Sequence, residues 1–459
     1  MSVVLTCGQN VQDIYHYGLR DIQMQLPIDD DTRYRIASIS KTVTAIGLMK
    51  LFDEGLFELD EDVSDYLGFE LRNPDFPEVP ITFRHLLTHQ SGVLDGSGYF
   101  NFLSATYNQT PTPAIDALML PGGNYYTPNI WGNHASGTYF QYSNLNFGII
   151  ATLIESISQM RFDEYMRTAV LEPLHIEGSY NVQDIEAIDN IAVLYRNASP
   201  QSDNYQGSHP TPLDLSNYEI GTNGIIFSPQ GGLRVSPIEL SRIMRMLANE
   251  GSFEGIAILS SETVALMLEN EWFYNGTNGD NYYNLFNSWG LGIQRTVNFP
   301  NGDIVIPGTT CYGHAGEAYG LISDMYFSPE YNFGIIFITN GYYGSSNYDF
   351  GNSSAFYVPE EQAYEAINEL ALPVCQETVG LNSIQQATVS FFPNPATGQI
   401  SIKSKDNITQ ARFTNVLGHT IVRSMNSGQV NLEGIHSGVY TLSVKVKNNW
   451  QYAGRLMVL

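Results

Sequence analysis

Arg35-Ile36-Ala37-Ser38-Ile39-Ser40-Lys41-Thr42 is the stretch on which the reading of this chain turns. Downstream of it Val43, Ile46, Met49, Leu51 and Phe52 recur at helical spacing, and Gly55 is placed to stop a helix. The period predicts a helix from Ser38 to about Glu54. Ser38 and Lys41 stand at i and i+3 in its first turn, where they share one face. A serine hydroxyl is a weak nucleophile until a neighbour takes its proton. A lysine packed against an apolar helix can do so, because burial disfavours its charged form and lowers its pKa. The helix N-terminus adds a field that favours a developing oxyanion. Serine is common, so an S-x-x-K spacing also arises by chance and its surroundings decide its meaning.

Lysine, by contrast, is scarce. Of 21 basic residues only six are lysines, and just Lys41 and Lys50 precede residue 403. The 459 residues include 47 acidic ones, for a formal net charge of −26. So negative a chain is a poor partner for nucleic acid or anionic lipid. At 43% hydrophobic it can bury a sizeable core. Residues 381–459 hold seven basic and two acidic side chains, whereas residues 1–380 hold 14 basic and 45 acidic. That change of sign argues for two modules. Cys7, Cys311 and Cys375 show neither a metal-like spacing nor a disulfide framework. The longest apolar run, Phe147 to Ile154, is too short to span a bilayer, so no transmembrane segment is expected.

Val3–Cys7 and Ile14–Tyr17 read as strands around a Gly8-Gln9-Asn10 turn. Helices are expected near Phe83–His89, Leu145–Gln159, Pro237–Gly251 and Ser260–Glu269, and Leu120–Gly137 reads as a long loop. Strand-like runs return at Trp289–Arg295, Ile304–Ile306, Leu321–Phe327 and Phe333–Thr339, and a last helix is expected over Glu360–Leu372. Strands at both ends with helices between them suggest a mixed sheet carrying an inserted helical region. After a polar linker at 376–388, short alternating strands at Val389–Phe392, Gln399–Lys403, Ala411–Asn415, Val439–Val446 and Gly454–Val458 read as a small β-sandwich.

Two further elements could complete a site. In Tyr142-Ser143-Asn144 on an extended segment, Tyr142 and Asn144 point the same way. A phenol near a lysine cation can move protons, and an amide can orient a carbonyl. Gly313-His314-Ala315-Gly316-Glu317 opens a strand whose small residues allow close approach to a substrate backbone. His85 and His89 have the i, i+4 spacing of a zinc pair but lack its glutamate, so they are read as structural. Cys311 is read as a packed small residue, and Asp60-Glu61-Asp62 as a solvated loop. No metal or cofactor is called for.

The S-x-x-K, Tyr-x-Asn and His-x-Gly elements occur in this order with Ile81-Thr82-Phe83-Arg84-His85-Leu86-Leu87-Thr88-His89-Gln90-Ser91-Gly92, Gly231-Gly232-Leu233-Arg234-Val235-Ser236-Pro237 and Trp289-Gly290-Leu291-Gly292. Together they resemble the class C β-lactamase-related, penicillin-binding-protein-like serine hydrolases over roughly residues 3–370. The resemblance implies an α+β fold of the serine β-lactamase/D,D-peptidase type, an antiparallel sheet flanked by helices plus a helical region, over residues 1–375. By motif, Ser38 would be acylated, Lys41 would assist deprotonation, and Tyr142 would act as base and then as acid. Asn144, His314, Ala315 and Gly316 would bind substrate, and the backbone amides of Ser38 and Glu317 would form the oxyanion hole. His314 replaces the lysine of the K-T-G element, which favours a peptide or ester substrate over a β-lactam. A β-lactamase or cell-wall D,D-carboxypeptidase is the alternative, and a silent penicillin-binding-like protein the alternative of another class.

Phe391-Phe392-Pro393-Asn394-Pro395, Val416-Leu417-Gly418 and Gly438-Val439-Tyr440 resemble the type A sorting domain of type IX secretion, over residues 389–459. That resemblance implies a Gram-negative secreted or cell-surface protein handled by the type IX machinery. Such export begins with a signal peptide, and none is visible in Met1–Gly8. The related hydrolases also carry an extra helix before the nucleophile, so the expectation is a true start upstream of Met1.

Overall fold

The computed structural model describes residues 1–343, 349–370, 389–392, 396–404, 408–415, 420–426, 428–436, 438–446 and 449–458. The chain divides into two compact units, Met1–Tyr364 and Glu365–Leu459. The first is built on eight strands in the order Trp272–Phe273, Ser288–Trp289, Gln294–Arg295, Tyr312–Ala318, Leu321–Ser328, Phe333–Thr339, Ser2–Cys7 and Asn10–His16. Every pairing is antiparallel, so the sheet is not mixed. The N-terminal hairpin adds to the far strand in the register Val4↔Ile336, closing the sheet from the other end of the unit.

Alternation along these strands supplies two apolar faces. Val4, Met325, Phe327, Ile336 and Ile338 join the main core with helices Ile39–Asp53 and Pro237–Ala248. Ile322 and Phe337 turn the other way and meet Tyr357 and Ala363, the latter on helix Val358–Leu370. Strand Leu321–Ser328 is buried at every position because it is covered on both faces. Truncating a central side chain such as Met325 should cost about 2–5 kcal/mol.

Helix Ile39–Asp53 is buried from Ile39 to Met49 without a break, so it is enclosed on every side and takes Ser40, Lys41, Thr42 and Thr44 into the interior with its apolar residues. It packs against helix Asn144–Ser158, which is equally buried from Leu145 to Glu155. Gly47 permits this crowding, since a Cβ there would lie 2.3 Å from the Met166 sulfur. Helix Pro237–Ala248 starts in a reciprocal capping box: Ser236 Oγ accepts from Glu239 N, and Glu239 Oε2 accepts from Ser236 N.

Three expectations are corrected. Trp289–Arg295 is not one strand but a hairpin, turned where Gly290 N donates to Ile293 O and Gly292 takes φ +70°. Ile304–Ile306 forms no strand: the flanking Gly302-Asp303 and Pro307-Gly308 put it into turns that bury Val305 and Ile306. Helix Ser97–Asn108 stands where no helix was expected. Cys7 is disulfide-bonded, and Cys311 is a free thiol whose pKa burial pushes up to about 12, which suits packing rather than reactivity.

The second unit contains a three-stranded sheet (Val389–Phe392, Gln399–Ser404, Gln429–Asn431) and a four-stranded sheet (Thr420–Ser424, Ile408–Asn415, Gly438–Val446, Asn449–Val458). Ile400, Phe413, Val430, Leu442 and Leu456 are fully buried in one core. The linker at 376–388, Cys375, Pro393-Asn394-Pro395 and Val416-Leu417-Gly418 lie outside the described residues. Among the described residues no helix is long and apolar enough to cross a membrane.

Candidate active site

Ser38 stands at the N-terminus of helix Ile39–Asp53 with no cap bond from its side chain, so its hydroxyl is not spent on the helix. Its neighbour Ala37 is held at φ +45°, a left-handed conformation that a non-glycine residue adopts at a cost of about 1–3 kcal/mol. The surrounding backbone holds it there. Ile36 N donates to Leu233 O, and Leu233 N donates to Ser40 Oγ, which ties this turn to the Gly231–Val235 segment.

Lys41 is fully buried. Its Nζ donates to Ser38 Oγ at 3.0 Å and to Gln230 O at 2.8 Å. Burial lowers its pKa to about 7, against an opposing pull from the Asp95 carboxylate. A substantial fraction is therefore the neutral amine at neutral pH, able to accept a proton from the serine it touches.

Tyr142 stands just before helix Asn144–Ser158, on a segment tethered where Gln141 N donates to His89 O. Its ring lies 4.4 Å from that of His89 and 5.1 Å from that of Phe286. Lys41 Nζ lies 5.0 Å from the Tyr142 ring centroid. Burial holds the phenol well above its ordinary pKa, opposed by a hydrogen bond with Ser38. At neutral pH it is a protonated donor.

His314 is fully buried on strand Tyr312–Ala318. Its Nδ1 lies 2.5 Å from Ala315 O and its Nε2 3.4 Å from the Tyr142 hydroxyl. A carbonyl only accepts, so Nδ1 carries the proton. Burial and then the Lys41 charge lower the pKa to about 3, which leaves the ring neutral. Its Nε2 lone pair can thus accept from Tyr142. The strand passes close to the serine because Gly316 lacks a side chain: a Cβ there would stand 2.8 Å from Ile36 O. Pairing with Gln294–Arg295 reaches only Gly313, so that neighbour leaves the edge from His314 to Ala318 open.

Asn144 sits one step away, its Nδ2 donating to Asp95 Oδ2 at 2.7 Å. Asp95 was not legible as a site residue. Its carboxylate also accepts from Ser143 Oγ, Asn144 N and Leu145 N, capping the helix that carries Asn144. The signal was an aspartate just beyond Ser91-Gly92, within a loop that sequence cannot place in space. Gln230, which contributes a backbone carbonyl, left no signal at all. His85 closes a capping box with Thr82, and His89 accepts from Ser143 N through Nδ1 while supporting the Tyr142 ring. Asp60 and Asp62 pair with Arg84 and Arg72.

Residues 2–355 match the Beta-lactamase family. The chain belongs to the beta-lactamase family. As a member of that family it is 29% identical over 222 residues to penicillin-binding protein 4* of Bacillus subtilis, covering 46% of this chain and 45% of the relative. Protein flp of Staphylococcus aureus is 22% identical over 334 residues, covering 71% of this chain and 56% of that protein. The chain thus spans about half the length of these curated relatives. Among solved structures, the D-amino acid amidase of Ochrobactrum anthropi superposes with a TM-score of 0.58 at 17% identity, covering 83% of this chain and 94% of that one. A penicillin-binding protein homologue of Pyrococcus abyssi gives 0.55 at 20%, covering 98% and 90%, and a class C beta-lactamase gives 0.53 at 17%, covering 79% of this chain and 88% of that one. These likenesses establish the shared fold. Residues 390–459 match the Secretion system C-terminal sorting domain, which marks this family member for export.

Proposed function

We propose that this chain is a secreted serine hydrolase that forms an acyl-enzyme on Ser38 with a peptide of D-amino acid type or an ester. The observation that carries the reading is the buried Lys41 amine, 3.0 Å from Ser38 Oγ, with its pKa lowered to about 7. In its neutral form Lys41 takes the Ser38 proton as the oxygen attacks the substrate carbonyl. Charge then gathers on the carbonyl oxygen, where the amides of Ser38 and Glu317 donate. Tyr142 gives its proton to the departing amine or alcohol and recovers one from Lys41. Water repeats the sequence in reverse and frees Ser38. Asn144, held by Asp95, and the open edge at His314, Ala315 and Gly316 align the substrate. No cofactor enters these steps.

The neutral ring of His314 supports a peptide or ester over a β-lactam, because it offers no fixed cation for a substrate carboxylate. Intact-mass measurement after exposure to an activated ester and to penicillin, with Ser38→Ala beside the native protein, tests the reading. An acyl adduct on the native chain alone is expected with the ester. A long-lived penicilloyl adduct would favour a D,D-carboxypeptidase, rapid nitrocefin turnover a β-lactamase, and no adduct of any kind a silent binding protein. The sorting domain supports handling by type IX secretion, and a secretion assay with residues 389–459 deleted tests it by loss of export.

A further inference from the structure

We infer that Tyr282 forms the wall of a leaving-group subsite, which selects esters and amides whose departing alcohol or amine carries an aromatic ring. The inference rests on the hydrolase reading, in which the Ser38–acyl bond forms, the bond to the leaving oxygen or nitrogen breaks, and that atom takes the Tyr142 proton. Five rings border that of Tyr142: His89, Phe286, His314 and Trp289 are buried, whereas Tyr282, 5.9 Å away, is 44% exposed. Tyr142 itself is half-buried. Its solvent-facing side is thus bordered by Tyr282, and a departing group that has taken the Tyr142 proton has that ring beside it.

The backbone under Tyr282 holds the ring in place. Phe140 N donates to Asn278 O at 3.0 Å and Asp280 N to Phe140 O at 2.9 Å, so the loop is bound to the segment that carries Tyr142. Tyr282, Tyr283 and Asn284 then take φ of +53°, +59° and +73°, three successive left-handed residues of which none is glycine. Such backbone persists only where its surroundings impose it, and it gathers at ligand-binding sites. Here an amide network imposes it. Asn281 Nδ2 donates to Asn284 Oδ1 and Asn287 Oδ1, Asn287 Nδ2 to Asn284 O, and Gln294 Nε2 to Leu285 O. The Tyr282 ring packs 5.3 Å from Phe286 on the buried side, and Tyr283, which is 78% exposed, lies 6.1 Å away. A fixed and exposed aromatic surface suits a flat apolar ring, which stacks on it and leaves water, whereas a compact leaving group gains little there.

The test uses the benzyl and methyl esters of N-acetyl-D-alanine, whose alcohols are of nearly equal acidity, so that a difference in kcat/KM reports binding of the ring. The native protein should favour the benzyl ester by about tenfold. Tyr282→Ala should bring that ratio close to one, and Tyr282→Phe, which keeps the ring, should retain it. With the ring moved to the acyl side, as N-phenylacetyl against N-acetyl-D-alanine methyl ester, the ratio should not respond to Tyr282→Ala. A benzyl preference absent from the native protein, or unmoved by Tyr282→Ala, overturns the inference, and so does an acyl-side ratio that falls as far as the leaving-group ratio. Calorimetry on Ser38→Ala needs no turnover: the benzyl ester should bind more tightly than the methyl ester, Tyr282→Ala added to it should remove the difference, and equal affinities overturn the inference. Missing acylation of Ser38 by every ester would instead count against the hydrolase reading and leave the calorimetry to decide the subsite, so the two failures are distinguishable.

Discussion

Lys41 carries the largest consequence of any single residue. If its neutral amine is the base, kcat/KM should rise with pH through about 7, as the amine loses its proton. Asp95 opposes the burial effect by favouring the charged form, so Asp95→Asn should move that limb to lower pH while keeping a side chain able to cap the helix. A pH–rate profile for both proteins checks this; a limb that stays in place would remove Asp95 from the electrostatics of the site. Ser38 and Lys41 were legible in the sequence because their chemistry is local, with the partners one helical turn apart. Tyr142 and His314 were legible only as separate elements. Their contact spans 172 positions, and no pattern of spacing reports it. Asp95 was illegible for the same reason, since its four bonds to Ser143–Leu145 depend on how two loops meet.

Among elements, strand Tyr312–Ala318 has the narrowest tolerance. Gly316→Ala would place a methyl 2.8 Å from Ile36 O, and the strand would have to retreat from the serine. We expect a loss of about 1–3 kcal/mol in urea unfolding together with a fall in kcat; full activity would mean that the closeness of strand and turn is unimportant. The opposite face of the sheet holds a different constraint. Asp324 faces Glu360 of helix Val358–Leu370, and burial pushes the Asp324 carboxyl up to about 7. An acid whose folded pKa is raised stabilises the fold when protonated, so that contribution is present below about pH 4 and lost as pH rises through about 7. Asp324→Asn should therefore flatten the decline in the urea midpoint between pH 4 and 8, and a decline unchanged by it would place the titration elsewhere. The fully buried strands and helices were legible from their apolar runs. Helix Ser97–Asn108 was not, because its inward Tyr99, Phe102 and Thr106 are dispersed among Gly, Asn and Tyr residues that read as loop. The hairpin at Gly290–Gly292 shows the converse failure, a continuous apolar run broken by a left-handed glycine.

On the scale of the whole molecule, positions 1–380 hold 14 basic and 45 acidic residues, a net charge of −31. Added salt should therefore slow turnover of a cationic ester by about two- to threefold between low and physiological ionic strength, while leaving a neutral ester of the same outline nearly unaffected. Equal salt sensitivity of the two substrates would detach the effect from charge. The order of the sheet has a consequence in time. Thr6 bonds to Gly334 across 328 positions, and the strand bearing His314 and Glu317 follows the nucleophile late in the chain. Contacts of such range form slowly, because a long loop must close before any of them is gained. A chain that has emerged only as far as Gly302 has its serine and its lysine but neither the open strand edge nor the Glu317 amide. During synthesis the proposed nucleophile is therefore present well before the strand that would complete its site.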